Sequence, residues 1–482
     1  MVNSEKEIVD SERHQAVGAA IHYSLFTTHY SPRSSAAYFR RLSVSVCVCL
    51  WLILISACQV ASPDVSAEAA KLIGIDNAII FHADVESLSS HSAIPPNLSE
   101  CDAVRLALAH DPRVQVALAK VRVAEADAKQ ARLLPNPILN VDARFRTHPG
   151  DNTAFETTLS GDLIGLLQKP GQIGAADKRL REAASDALTT VLDLIAEVQS
   201  ACVNASATDE QIQNAHRRQE LLGQLREIAA KRLKAGEIGR LDVLTLDAQL
   251  AQGELDLADL EVQRADARLL LARLIGQPRA NPDFSLAPRP EPVAEPLAPE
   301  SDWIDAALAH RPEIASKIWE LKALGDDYAV ASFSPITGSS LGVHAEHDPN
   351  WRVGPALDIP LPFFDFGQAS RAKVTAQQIA ARHDLLQKQR ESIEETRLAY
   401  SSCSHARRSL DNARQKLLPL QQQQLDQARH LYQVGETDLG TLLLAQSDYT
   451  TALSKIIDLQ QKAALARIKL DRAVGGAAIA PR

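Results

Sequence analysis

Apolar and polar residues alternate one by one in four short stretches of the chain and recur every three or four residues over most of the remainder. In 139–145, Leu139, Val141, Ala143 and Phe145 oppose Asn140, Asp142 and Arg144. In 155–163, Phe155, Leu159 and Leu163 oppose Glu156, Thr158, Ser160 and Asp162. The stretches 341–346 and 351–359 repeat the pattern, with Leu341, Val343 and Ala345, then Trp351, Val353, Leu357 and Ile359, on the apolar side. Period two predicts strands with one apolar and one polar face. The three-four spacing predicts long coiled-coil helices over about 172–235 and 368–434, marked by Leu188, Leu192, Ile195 and Val198 and by Leu410 and Leu417. Gly236 and Gly435 predict reversals into helices over about 241–276 and 441–474. Shorter helices end near His110 and His310. Pro112 and Pro312 then open helices that stop before Pro135 and Pro335. Pro419 predicts a kink or local break in the second long helix.

The same order of elements occurs twice. Ala107-Leu-Ala-His-Asp-Pro112 returns as Ala307-Leu-Ala-His-Arg-Pro312, Gly171-Gln172 as Gly367-Gln368, and Lys234-Ala-Gly-Glu237 as Gln433-Val-Gly-Glu436. Between the halves, 277–300 holds seven Pro in 24 residues, an extended crossover rather than a helix. The predicted plan is mainly α with a small β part: a tandem repeat of long helical hairpins plus two pairs of antiparallel strands. Its repeats are 99–276, with strands in 138–163 and a hairpin over 172–276, and 301–475, with strands in 339–359 and a hairpin over 368–474. Residues 172–235 would span ~96 Å at 1.5 Å per residue. The helices 241–276 and 312–333 laid end to end come close to that, as do 441–474 and 112–134. These are the stackings the lengths suggest, with the Pro-rich crossover at a joint.

Strands of about nine residues suit a tilted membrane barrel. Four strands in lipid would leave two edges unpaired, so several copies must close the barrel. The polar face, with Asp142, Arg144, Glu156, Asp162 and Asp358, would then line a wet pore. The alternative is a pair of amphipathic hairpins packed on a soluble core.

Composition agrees with helices in close contact: 45% of residues are hydrophobic, yet aromatics make up only 4%. The formal net charge of −9 does not suit a general nucleic-acid surface. Cys101, Cys202 and Cys403 lie too far apart for a metal or redox motif. At the N-terminus, Arg40 and Arg41 precede an apolar run from Val44 to Ala57, too short to span a bilayer and of the right length for a secretory signal. Residues 1–57 therefore read as a signal region with a long polar extension, 58–98 as a tether and 476–482 as a tail. The run ends Ile55-Ser56-Ala57-Cys58, which resembles a bacterial lipobox and implies lipidation of Cys58; Gln59 after it implies sorting to the outer membrane. A plain signal that happens to contain Cys is the other reading.

The ordered set of landmarks resembles the TolC family of outer-membrane channels, nearest its lipoprotein members of the CzcC, CusC and OprM kind. It consists of the doubled strand–strand–long-helix order, Leu134-Pro-Asn-Pro137, Pro170-Gly171-Gln172, Phe364-Asp-Phe-Gly-Gln368, and the turns Leu233-Lys-Ala-Gly-Glu237 and Leu431-Tyr-Gln-Val-Gly-Glu436. The resemblance covers about 98–475. It implies a homotrimer with a twelve-stranded barrel on a twelve-helix periplasmic tunnel, and partnership with a periplasmic adaptor and an inner-membrane pump, by preference a proton-driven one of the RND type. The adaptor would dock at tips marked by Gly236, Glu237, Gly435 and Glu436. Carboxylates near the tip would constrict the entrance. The candidates are Asp242 in the first repeat, and in the second Asp438, because the position matching Asp242 is Thr441. Asp242 reads equally well as a helix-start charge.

No nucleophile elbow, phosphate loop or zinc motif occurs, so neither an enzyme nor a cofactor is expected. His344-Ala-Glu-His347-Asp348 is the one dense set of potential metal ligands, and on a strand its side chains diverge to both faces. The function expected is a passive exit duct for metal ions or small toxic compounds. A type I secretion duct shares every feature named. A periplasmic coiled-coil adaptor or scaffold would show one hairpin flanked by lipoyl-like segments, which this chain lacks.

Overall fold

The computed structural model of the chain describes residues 81, 95, 97–145, 154–278, 284–287, 297–347 and 350–476. The signal region, Cys58, most of the tether and nearly all of the tail lie outside the described residues.

Strand β1 (Asn97–Leu98) leads into α1 (Glu100–His110) and α2 (Pro112–Arg132). The Ser99 hydroxyl caps α1 by accepting from the Asp102 N–H at 3.1 Å. Asp111 ends α1 and caps α2, accepting from the Arg113 N–H at 2.7 Å, with Pro112 in the first turn where no amide proton is needed. Strands β2 (Ile138–Arg144) and β3 (Ala154–Asp162) follow, then the hairpin of α3 (Leu163–Lys234) and α4 (Arg240–Leu274). The second half repeats this with β4 (Ser285–Leu286), α5 (Glu300–His310), α6 (Pro312–Ala331), β5 (Ser340–His347) and β6 (Trp351–Asp358). Its hairpin comprises α7 (Gln368–Asn412), a π-helical turn at Ala413–Leu417, α8 (Leu418–Val434) and α9 (Leu439–Ala473). That π turn is the local break expected at Pro419. Proline offers no N–H to the carbonyl four residues back, and the wider turn takes up the mismatch.

Three expectations are corrected. The first long helix begins at Leu163 rather than 172, so Leu163 is helical and not the end of a strand. Asp162 caps it by accepting from the Gly165 N–H at 2.8 Å, and Pro170 lies inside it. Pro170-Gly171 looks like a break, but Gly171 is a contact residue: a Cβ there would lie 2.8 Å from Val330 Cγ2 of α6. The crossover is not wholly unpaired, because β4 forms a two-residue parallel ladder with β1, beside the buried Leu98 and Phe284.

The third correction concerns which short helices stack. A Cβ on Gly276, just past α4, would lie 2.4 Å from the Cβ of His110 at the α1–α2 junction. One on Gly475, just past α9, would lie 2.7 Å from the His310 carbonyl oxygen at the α5–α6 junction. So α4 stacks on α2, and α9 on α6, each within its own repeat. Length could not decide this, since α4 and α9 have 35 residues each while α2 and α6 have 21 and 20. The stacked pairs and long helices then form four columns in the order α4/α2, α3, α9/α6, α7/α8, with α9 and α6 packed against both long helices. The sheet order is β2-β3-β5-β6. Each strand adjoins, in sequence, one column in that same order.

Apolar packing ties the columns together. Val104 and Leu108 of α1 pack with Leu188, Val191 and Leu194 of α3, and Trp303 of α5 with Cys403 and Leu470. Near the turns, Leu222 and Leu246 of the first hairpin meet Leu425, Tyr432 and Leu442 of the second. A fully buried leucine contributes about 1.5–3 kcal/mol.

Candidate functional site

The four-stranded sheet has one register throughout. Asp142 pairs with Glu156, Glu156 with Glu346 and Glu346 with Arg352, so all even-numbered residues share a face. Asp142, Arg144, Glu156, Asp162 and Asp358 are therefore on the same side. Arg144 donates to Glu156 Oε2 at 2.6 Å, and Arg352 lies 3.9 Å from Glu346. His344 Nδ1 is 3.0 Å from the Thr158 hydroxyl and 3.7 Å from Glu156. Arginines thus offset carboxylates that stand directly opposite one another, where like charges repel. His347 lies on the other face, edge-on to Trp351 at 5.0 Å. Among the described residues no three His, Cys, Asp or Glu side chains gather as a metal site would.

The odd-numbered face is apolar. Leu139, Val141, Val343, Trp351, Val353 and Leu357 are each more than half exposed. The outer strands β2 and β6 each have a ladder on one side only. No helix among the described residues is long and apolar enough to cross a membrane.

At the far end, both hairpins reverse through one geometry. Gly236 has φ 77° and Gly435 φ 81°, in the left-handed region that glycine adopts without penalty. The Glu237 N–H donates to the Arg232 carbonyl and the Glu436 N–H to the Leu431 carbonyl, both at 2.9 Å. The Glu237 and Glu436 side chains are exposed. Arg232 donates to Glu237 Oε2 at 2.9 Å, and its guanidinium lies 5.0 Å over the Tyr432 ring, joining the two tips.

The entrance candidates occupy two matched positions. In the first repeat Gly239 is the N-cap, and its N–H donates to Asp242 Oδ2 at 3.1 Å. In the second the N-cap is Asp438, and the Thr441 N–H donates to its Oδ1 at 3.0 Å. The carboxylate has moved from one end of the capping contact to the other. Hydrogen bonds from the Thr441 hydroxyl and backbone hold the Asp438 carboxyl below the usual range.

Sequence reasoning missed the charged joints beside the stacked helix ends. Arg311, Glu313 and Arg472 form a nearly sealed cluster there, with Arg472 also donating to Asp193 at 2.6 Å. The available signal was a reversal of charge inside the repeated motif: Asp111 and Arg113 become Arg311 and Glu313.

The sequence matches the family described as outer membrane efflux protein over residues 103–277 and 303–476. It is 27% identical over 389 residues to CyaE of Bordetella pertussis, covering 74% of this chain and 79% of that protein. It is 24% identical over 378 residues to the cobalt-zinc-cadmium resistance protein CzcC of Cupriavidus metallidurans, covering 77% of this chain and 89% of that one. In fold it is similar to the CmeC outer membrane channel of Campylobacter jejuni, with a TM-score of 0.63 at 16% identity over 78% of this chain and 85% of that one.

Proposed function

From the premise that this chain belongs to the outer membrane efflux protein family, we propose that it is the outer-membrane channel of a tripartite efflux system. It conducts solutes passively, with energy supplied by a pump in the inner membrane. One observation carries the reading: a single sheet exposes an apolar face, gathers its charges on the other, and ends in two strands each bonded on one side only. Such a sheet is stable in hydrocarbon only when several copies close it into a barrel. Three copies would give twelve strands over twelve helical columns. The row Asp142, Glu156 and Glu346, with Arg144 and Arg352, would face the lumen.

The finer features are part of the same proposal. Cys58 carries the lipid that anchors the chain to the outer membrane. The tips at Gly236, Glu237, Gly435 and Glu436 receive the periplasmic adaptor, and Asp242, Asp438 and Thr441 stand at the entrance. A proton-driven pump of the RND type is the favoured partner. Metal ions are the cargo class suggested by the resistance protein named above.

Membrane fractionation followed by sedimentation of the detergent-extracted protein tests this. An outer-membrane trimer that loses its lipid label in Cys58→Ala is expected. A soluble monomer would remove the pore and leave the strands as ordinary hairpins.

A further inference from the structure

The internal repeat predicts contacts that one chain cannot make alone. Over 193–214, positions on α3 correspond to positions on α7 at a shift of 198: buried Leu194, Val198, Ala205 and Ile212 of α3 become buried Ser392, Thr396, Cys403 and Leu410 of α7. Between α4 and α9 the shift is 199. Buried Leu246, Leu271 and Leu274 become buried Ala445, Leu470 and Ala473, and the turn glycines Gly236 and Gly276 become Gly435 and Gly475.

The α9/α6 column lies between two long helices of its own chain. Toward α3, Arg472 donates to Asp193 at 2.6 Å and Gln461 to Asn204 at 2.9 Å, while Ser454 accepts from Asn214 at 2.9 Å. The α4/α2 column is flanked by α3 on one side only. On this column the residues matching Arg472, Gln461 and Ser454 are Arg273, Val262 and Leu255. Val262 and Leu255 are 61% and 64% exposed, and the Arg273 side chain, 61% exposed, also stands 3.6 Å from Glu197 of its own α3. Leu255 and Val262 belong to an exposed heptad seam of Leu241, Ala248, Leu255, Val262 and Leu269. The residues matching Asp193, Asn204 and Asn214 are Glu391, Ser402 and Asn412, on the outer long helix α7. Ser402 and Asn412 are exposed. The Glu391 side chain, 43% exposed, meets Lys388 at 3.3 Å.

At 100° per residue Leu255 stands about 180° round the helix from buried Leu246, and Val262 about 180° from buried Leu271, so the seam lies on the side of α4 away from α3. We infer that Arg273 pairs with Glu391 of the partner subunit, and that Leu255 and Val262 are covered by the Ser402–Asn412 stretch of that subunit's α7. The inference rests on the ring proposed above and names the surface that closes it. Charge complementarity selects the occupant: the carboxylate that α3 presents to Arg472 as Asp193 is presented by α7 as Glu391.

The test uses the full chain in native membranes. Arg273→Glu and Glu391→Arg are each expected to lower the temperature at which the trimer dissociates by a few degrees. The double reversal returns it toward the unchanged protein, and the differences fade in high salt. In parallel, Arg273→Cys combined with Glu391→Cys, treated with a short bis-maleimide, is expected to give covalent dimers and trimers of this chain that neither single cysteine variant gives. An unchanged trimer whose double reversal is no better than the worse single, and whose cysteine pair gives no such product, would overturn the seam and leave the ring standing. A monomer from the unchanged protein would overturn the ring itself.

Discussion

Arg472 donates to the Glu313 carboxylate at 2.6 Å although the two side chains are only 16% and 14% exposed. Burial alone would raise the Glu313 carboxyl. The charge and hydrogen bond of Arg472, helped by Arg311, outweigh it and leave the group below its ordinary range. Breaking a buried pair leaves an uncompensated charge, at a cost of about 3–5 kcal/mol. Arg472→Met is therefore expected to lower the melting temperature clearly. A depressed carboxyl stabilises the fold above its unfolded pKa and loses that stabilisation as pH falls through the folded one. In the unchanged protein the extra loss thus falls below about pH 4.3. Melting curves at neutral and acid pH should show it, and Glu313→Gln should lack that component.

The glycines at the chain reversals differ in what surrounds them. No atom lies within 4 Å of a Cβ built on Gly236, whereas one on Gly276 would collide with His110. Gly236→Ala is expected to cost only the left-handed backbone penalty, about 1–2 kcal/mol. Gly276→Ala adds a collision with a packed joint and should lower the melting temperature more. Equal losses would contradict the stacking of α4 on α2.

Pro419 is the second residue of α8, directly after the π turn. Alanine there restores a backbone donor and removes a penalty of about 3 kcal/mol in a helix interior. Pro419→Ala is expected to raise stability and slow amide exchange across 413–418. Unchanged exchange would assign the π turn to packing rather than to proline.

The two faces of the sheet should respond oppositely to charge. Val343 lies on the apolar face of β5, and Asn140 on the polar face of β2. Val343→Arg is expected to cost about 2–4 kcal/mol in the bilayer and to reduce assembled protein in outer-membrane fractions. Asn140→Lys should assemble normally. Similar behaviour of both variants would argue against a lipid-facing surface.

Much of this architecture was legible in the residues. Period-two alternation, heptads, turn glycines and the prolines of the first helical turns act within a few residues, so the strands, the hairpins and their doubling could be read directly. The even-numbered charges of the strands could be read too, because alternation fixes a face wherever a strand forms. The entrance was legible only in part: the residue types at 239, 242, 438 and 441 were visible, but not the exchange of capping roles between Asp242 and Asp438.

Other features were decided by tertiary structure. Pro170-Gly171 reads as a break, yet Gly171 serves the close approach of α6, and the helix runs through it. The lengths of α2, α4, α6 and α9 permit either stacking. The choice falls to the joints, where Gly276 meets His110 and Gly475 meets His310. Arg472 reaches Asp193 on α3, 279 residues away in sequence, and Arg311 reaches Glu395 on α7. Local patterns specify what each segment is. They carry no information on which equally long segment lies beside it, because that depends on side-chain contacts that exist only once the columns are packed.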